Sequence, residues 1–322
     1  MTDQVPGHYC SVSERLSNIL NHVGYSRKDR FRKVTVVNET GVEGSTGPGL
    51  KSDTDRMFQV NTIKVVTEIS QCQPEMNNML MVHDDHTHSG SYIDDLTTID
   101  LLYRTVLRNT LHHNIGTVSG PACHYQNNLP ELSTDVVYAY RCSQWPQEGN
   151  EWFLRRRLHG WPTPIQIENA REYGCFVTAV GHPHSSECHL EWRLSFSITE
   201  RELTISFVDT TMKVYILLKM IRKTYIEPVI GDAFSSYHCK VYMFWMRERI
   251  QHELWIKRNL LYCLVLCLRQ LYEWATTGFC PENFIVTHNI YDRNIIGTVR
   301  NNLVKILRSL LSSNCTFLLG IE

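Results

Sequence analysis

The stretch G-P-G-L-K-S-D-T-D-R-M-F-Q-V, residues 47–60, sets two carboxylates, Asp53 and Asp55, where a glycine-rich turn gives way to strand-forming residues. In an extended chain residues i and i+2 project from one face, so both acids can grip one hard divalent cation or a pair of them. Asp-x-Asp is also a common solvated turn in a chain with 33 acidic residues. A third carboxylate shifts the reading toward metal. Asp135, in S-T-D-V-V-Y-A-Y, heads Val136, Val137, Tyr138 and Ala139, a composition that suits a buried strand. Three carboxylates on neighbouring strands can hold two Mg²⁺ ions over a triphosphate.

At 322 residues the chain is long enough for a large core and two lobes. Hydrophobic residues make up 43% and charged residues 20%, which argues against extensive disorder. The formal net charge of −1 provides no global basic field, so any nucleic-acid partner must bind a local patch. Eleven cysteines without a C-x-x-C pair read as free thiols in a reducing compartment. The first ten residues lack a basic and an apolar signal region, and no apolar run reaches transmembrane length. The expectation is a cytoplasmic protein without a membrane partner, with nuclear residence left open.

Along the chain, Val12, Leu16, Ile19 and Leu20 recur at helical spacing. The dense run Arg27, Lys28, Arg30, Arg32 and Lys33 follows, read as a solvated face or a polyanion site. Residues 63–69 suit a strand, 76–91 read as polar and irregular, and 95–112 read as an amphipathic helix. The tracts 83–88 (H-D-D-H-T-H) and 182–189 (H-P-H-S-S-E-C-H) look metal-like, but neither spacing matches a standard module, and no structural zinc is expected. Residues 145–162 read as a turn and short helix exposing Arg155, Arg156 and Arg157, and 174–181 as an apolar strand. From Thr210 onward helical patterns cover 214–225, 237–249, 254–276 and 299–311, with F-C-P-E-N-F-I breaking the last two apart. Cys263 and Cys267, at i and i+4, read as helix-packing residues.

Four ordered motifs, P-G-L-K-S-D-T-D (48–55), E-W-R-L-S-F-S (191–197), F-S-S-Y-H (234–238) and C-L-R-Q-L-Y-E-W…F-C-P-E-N-F-I (267–285), resemble the male-abnormal twenty-one (Mab) family, which includes cyclic GMP-AMP synthase and its animal receptor-like relatives. The resemblance implies an α+β fold: a polymerase-beta-like nucleotidyltransferase core over residues 1–209, a helical C-terminal lobe over 210–322, and a nucleotide cleft between them. It implies that Asp53, Asp55 and Asp135 bind Mg²⁺ or Mn²⁺. By the same resemblance Arg193, Ser195 and Ser197 read a purine edge, Tyr237 stacks on a base, and Lys219 and Ser236 contact phosphate. Independently, strand alternation would put a guanidinium fork and two hydroxyls on one face.

The resemblance further implies a cyclic dinucleotide synthase in innate immune signalling, acting on ATP and GTP or other nucleoside triphosphates. Its activator would be double-stranded RNA, less readily DNA, bound by the run 27–33. A zinc insertion like that of the vertebrate DNA sensor is missing after the W-R-L-S-F-S strand. The family's Gly-Ser at the nucleotide turn falls here on Glu39 and Thr40, or, in another register, on Gly44 and Ser45. Thr40 can replace the serine hydroxyl, whereas Glu39 adds bulk and negative charge. That departure keeps a second reading open, a catalytically silent scaffold that binds a nucleotide or a protein.

Overall fold

The computed structural model describes residues 39–42, 54–59, 63–73, 77–82, 91–94, 117–119, 122–125, 134–182, 184–185, 191–313 and 315–320. Asp53, Gly44, Ser45, Cys188, His189 and the sequence expectations at 11–22, 27–33, 83–88 and 95–112 lie outside them. Two compact units divide the chain. Ser26–Asn150 joins Pro164–Ile205 in a sheet unit, and Glu151–Thr163 joins Ser206–Glu322 in a helical unit.

The sheet unit holds ten described strands: β1 (Glu39–Val42), β2 (Thr54–Gln59), β3 (Ile63–Val66), β4 (Asn77–Val82), β5 (Ser91–Asp94), β6 (Thr117–Ser119), β7 (Ala122–Tyr125), β8 (Thr134–Cys142), β9 (Cys175–Thr178) and β10 (Glu191–Ser195). Their order is β1-β2-β8-β3-β4-β5-β10-β9, and β9 pairs back onto β8. The sheet therefore curls into a ring, with β1 and β2 on one flank of β8 and β6 and β7 added beside it.

The register explains why the ring holds. Cys142 lies opposite Val65, Val65 opposite Met79, Tyr92 opposite Trp192, and Cys175 opposite Cys142. Partners in register share a face and alternate residues change face, so one face collects Val65, Met79, Met81, Tyr140, Cys142, Cys175, Val177, Trp192 and Leu194. All nine are buried. The opposite face carries Ala139 and Phe176, packed with Met57, Val137 and Ile198 in a smaller apolar cluster. Within the expected irregular stretch 76–91, N-N-M-L-M-V instead pairs as β4 because Met79 and Met81 alternate into the ring, a period-two signal hidden by two leading asparagines.

Two helices complete this unit, α2 (Pro164–Tyr173) and α3 (Ser197–Ile205). Between α2 and β9, Gly174 takes a φ of 64°, and a Cβ there would come within 2.3 Å of the Cys142 carbonyl oxygen. Only glycine fits that approach.

The helical unit comprises α1 (Asn150–Leu154, whose first residue belongs to the sheet unit), α4 (Asp209–Ile221), α5 (Glu227–Ile230), α6 (Ser236–Arg249), α7 (Leu260–Thr277) and α8 (Gly297–Ser312). A π-helical turn, Arg222–Ile226, joins α4 to α5. Helix α6 is buried over most of its length, and Cys263 and Cys267 on α7 are fully buried packing residues, as their spacing suggested. The expected helix start at Leu254 gives way to two 3-10 turns, and α7 begins at Leu260. Trp255 is buried there and the Asn259 amide donates to the Leu254 carbonyl at 3.1 Å, which holds the chain out of helix. Among the described residues no helix is long and apolar enough to cross a membrane.

The run Arg155–Arg157 turns inward rather than outward. Arg155 Nη1 lies 3.2 Å from Glu248 Oε2, with side-chain exposures of 14% and 6%. Its guanidinium also sits 4.2 Å from the centre of the Trp245 ring and donates to the Asn283 carbonyl. Arg157 stacks over Trp152 at 4.8 Å and donates to the Arg155 carbonyl at 2.6 Å, leaving Arg156 as the exposed member. Charge density alone did not reveal this, because a planar guanidinium packs on tryptophan faces as readily as it faces water. Burial pulls the Arg155 pKa down and pushes the Glu248 pKa up, so mutual attraction only partly offsets desolvation. Arg155→Met should therefore strand Glu248 and lower the unfolding free energy by about 3–5 kcal/mol, measured by urea denaturation. An unchanged urea midpoint would show the pair to be dispensable.

Candidate active site

Two groups of residues emerge, one on each unit. On the sheet unit, β2 and β8 run parallel with Asp55 directly across from Asp135, each the second residue of its strand. Neighbouring strands lie about 4.8 Å apart, so these positions are adjacent on one face. On the other side of β2, Val42 pairs with Asp55 and Thr40 with Met57, which puts Thr40 on that same face and Glu39, by alternation, on the reverse.

The face continues across the ring. Ala139 pairs with Thr178, Thr178 with Arg193, and Phe176 with Ser195, so Arg193 and Ser195 share it too. Ala139 stands four residues beyond Asp135, a rise of about 13 Å along β8. The smaller apolar cluster around Met57, Val137 and Ala139 fills the interval between the carboxylates and the Arg193 row.

Arg193 is half-buried, and among the described residues its Nη2 has no hydrogen-bond partner. A guanidinium donor out of contact with water and protein acceptors is costly. Ser197 departs from the expected pattern. It opens α3 instead of continuing β10, is buried, and its hydroxyl donates to Met57 Sδ at 3.3 Å. The overlooked signal is S-I-T-E, the S-x-x-E pattern of a helix start. The strand face is left with one guanidinium and one hydroxyl.

On the helical unit, Ser236 and Tyr237 are the first two residues of α6. Arg222, at the end of α4, donates to the Phe234 carbonyl at 3.2 Å and pairs with Glu227 at 2.9 Å. That bond brings Lys219, one turn earlier on α4, to the same end of the unit as Ser236. Lys219 is half-exposed, with Nζ 5.4 Å from the Tyr215 ring centre. The Tyr237 ring is exposed rather than core, at 38%. Its hydroxyl approaches Glu282 Oε1 at 3.4 Å, and the Lys240 ammonium lies 5.6 Å from its ring centre.

Two residues without an assigned role in the sequence position that tyrosine. Glu282 Oε2 accepts the Phe284 and Ile285 N–H groups, each at 2.6 Å, which anchors the carboxylate facing Tyr237. His238 is buried, its Nδ1 accepting the Ser235 N–H at 3.0 Å and its Nε2 lying 3.3 Å from the Ile290 carbonyl. That arrangement requires a neutral ring with the proton on Nε2. Both residues were visible inside the F-S-S-Y-H and F-C-P-E-N-F-I motifs, but their roles depend on contacts 45 and 52 residues away in sequence.

No group of three His, Cys, Asp or Glu side chains suited to a metal occurs among the described residues. Asp53 is not one of these, and of Asp55 and Asp135 the strand positions alone are described. What the ladder gives is the register of these two positions on adjacent parallel strands. Residues 210–309, from α4 to within α8, match the Mab-21 protein HhH/H2TH-like domain.

Burial holds the His238 pKa down, from 6.5 to about 4. The unfolded chain binds the proton more readily, so this contribution to stability is fully present above pH 6.5 and is lost as pH falls toward about 4. Between about pH 7 and about pH 5 the loss from this group should be about 2 kcal/mol. Urea titrations of the protein and of His238→Gln at both pH values measure it; an equal slope in the variant would assign the pH dependence elsewhere.

Proposed function

We propose that the chain, whose residues 210–309 match the Mab-21 protein HhH/H2TH-like domain, is a metal-dependent nucleotidyltransferase of the Mab-21 family that joins two nucleoside triphosphates into a cyclic dinucleotide. The observation that carries this reading is the in-register pair Asp55 and Asp135, with Thr40, Arg193 and Ser195 on the same sheet face. A nucleotide laid along that face presents its phosphates to the carboxylate end and its base to the Arg193 end.

Asp55 and Asp135, with Asp53 two residues before Asp55 in sequence, would hold Mg²⁺ or Mn²⁺, which supplies charge neutralisation for the triphosphate and lowers the pKa of a ribose hydroxyl. Asp135 orients that hydroxyl toward the α-phosphorus and accepts its proton. A new P–O bond forms as the bond to the β-phosphate oxygen breaks, and pyrophosphate leaves with the electron pair. The Thr40 hydroxyl contacts phosphate, Arg193 and Ser195 hydrogen-bond a purine edge, and Tyr237 stacks on a base with Lys219 and Ser236 beside it. ATP and GTP are the proposed substrates. Double-stranded RNA, engaged through the run 27–33, is the proposed activator in innate immune signalling.

A second reading, a silent scaffold, draws on Glu39. In the β1–β2 ladder Glu39 pairs with Phe58, and Thr40 with Met57.

Purified protein incubated with the four ribonucleoside triphosphates, Mg²⁺ or Mn²⁺ and double-stranded RNA should form a cyclic dinucleotide, resolved by chromatography and mass spectrometry. Asp135→Asn should cut its rate by about 10²-fold or more without unfolding the chain; wild-type turnover in that variant would sink the mechanism. Tyr237→Ala should weaken nucleotide binding by about 1–3 kcal/mol, read by titration calorimetry. Affinity equal to wild type would remove the ring from the site.

A further inference from the structure

Of the eight cysteines whose side chains are described, all free, two stand opposite each other. Cys142, the last residue of β8, and Cys175, the first of β9, are register partners in an antiparallel pair. Both are buried, on the apolar interior face of the ring. Partners directly opposite in an antiparallel ladder have Cα atoms about 4.5–5.5 Å apart, and disulfides span about 4.4–6.8 Å. Cys175 Sγ approaches the Gln144 carbonyl at 3.6 Å. Nothing in the proposed phosphoryl transfer uses them.

We infer that Cys142 and Cys175 form a reversible dithiol–disulfide pair that staples β8 to β9, the seam where the ring closes. The bond would enclose residues 143–174, including Glu151–Thr163, the excursion of the chain into the helical unit. It would also link the strand that carries Asp135 to the one beside β10, which carries Arg193. The inference stands independently of catalysis.

The chemistry requires a peroxide, here hydrogen peroxide. The Cys142 thiolate attacks one peroxide oxygen, the O–O bond breaks, and Cys142 becomes a sulfenic acid as one water forms. The Cys175 sulfur then attacks the Cys142 sulfur, the S–O bond breaks, and a second water leaves with the remaining proton. Two thiols are oxidised, one peroxide is reduced, and an added dithiol reverses the bond by exchange. Burial makes the reaction slow, because the strand ends must open to admit peroxide.

The test uses the full chain, purified in reductant, exchanged into buffer and treated with hydrogen peroxide. Free thiols are then alkylated in denaturant, and the protein is digested without reduction. A peptide joining Cys142 to Cys175 should appear, vanish on treatment with dithiothreitol, and accompany a rise in Tm of about 5–10 °C. Cys142→Ser and Cys175→Ser should each abolish the rise. If either variant does not fold, the cross-linked peptide from the wild-type chain decides alone. Separate alkylation of both thiols at every peroxide dose, or their pairing with other cysteines, would overturn the inference.

Discussion

Strand β8 is the constraint on which the sheet unit depends. Its nine residues pair with four other strands: β2 in parallel, β7 and β9 antiparallel on stretches of one edge, and β3 through a single contact at Cys142. A strand bonded on both edges and buried on its interior face has no freedom to slip, because a shift of one residue would exchange Tyr140 and Cys142 for Ala139 and Arg141 inside the ring. Ladder bonding thus keeps Asp135 level with Asp55, and side-chain volume keeps the ring closed.

The helical unit relies on a different device. Its polar side chains anchor irregular backbone inside an apolar core. Asn283 accepts the Trp152 indole N–H at 3.1 Å and donates to Glu248 at 3.3 Å. Asn289 accepts from Cys280 and Tyr291 and donates to the Gly278 carbonyl. These bonds tie down the backbone between α7 and α8, where the buried Glu282 faces Tyr237. The Arg155–Glu248 pair joins this network from a distant segment. Neither charge would be tolerated in the core without the other.

The two units differ in what they fix. Ladder register holds β2 and β8 level with each other along their whole paired stretch, whereas the start of α6 carries an exposed ring, Tyr237, approached by Glu282 and Lys240.

Much of this was legible in the sequence, where it depended on local pattern. Asp55 and Asp135 could be placed near the starts of strands, the F-S-S-Y-H segment at a helix start and Cys263 and Cys267 on a buried helix face, because period and turn chemistry are written in neighbouring residues. Tertiary structure decided the rest. The inward turn of Arg155 and Arg157, the departure of Ser197 from its strand, the pairing of 77–82 as β4 and the facing of Cys142 with Cys175 all depend on partners far away in the chain. An arginine run reads as solvent-facing until tryptophans and a glutamate from another helix surround it. Two cysteines 33 residues apart (175 − 142) become neighbours only when a ring closes between them. Local propensity sets what an element is, whereas burial and register, which are properties of the packed whole, set what each side chain meets.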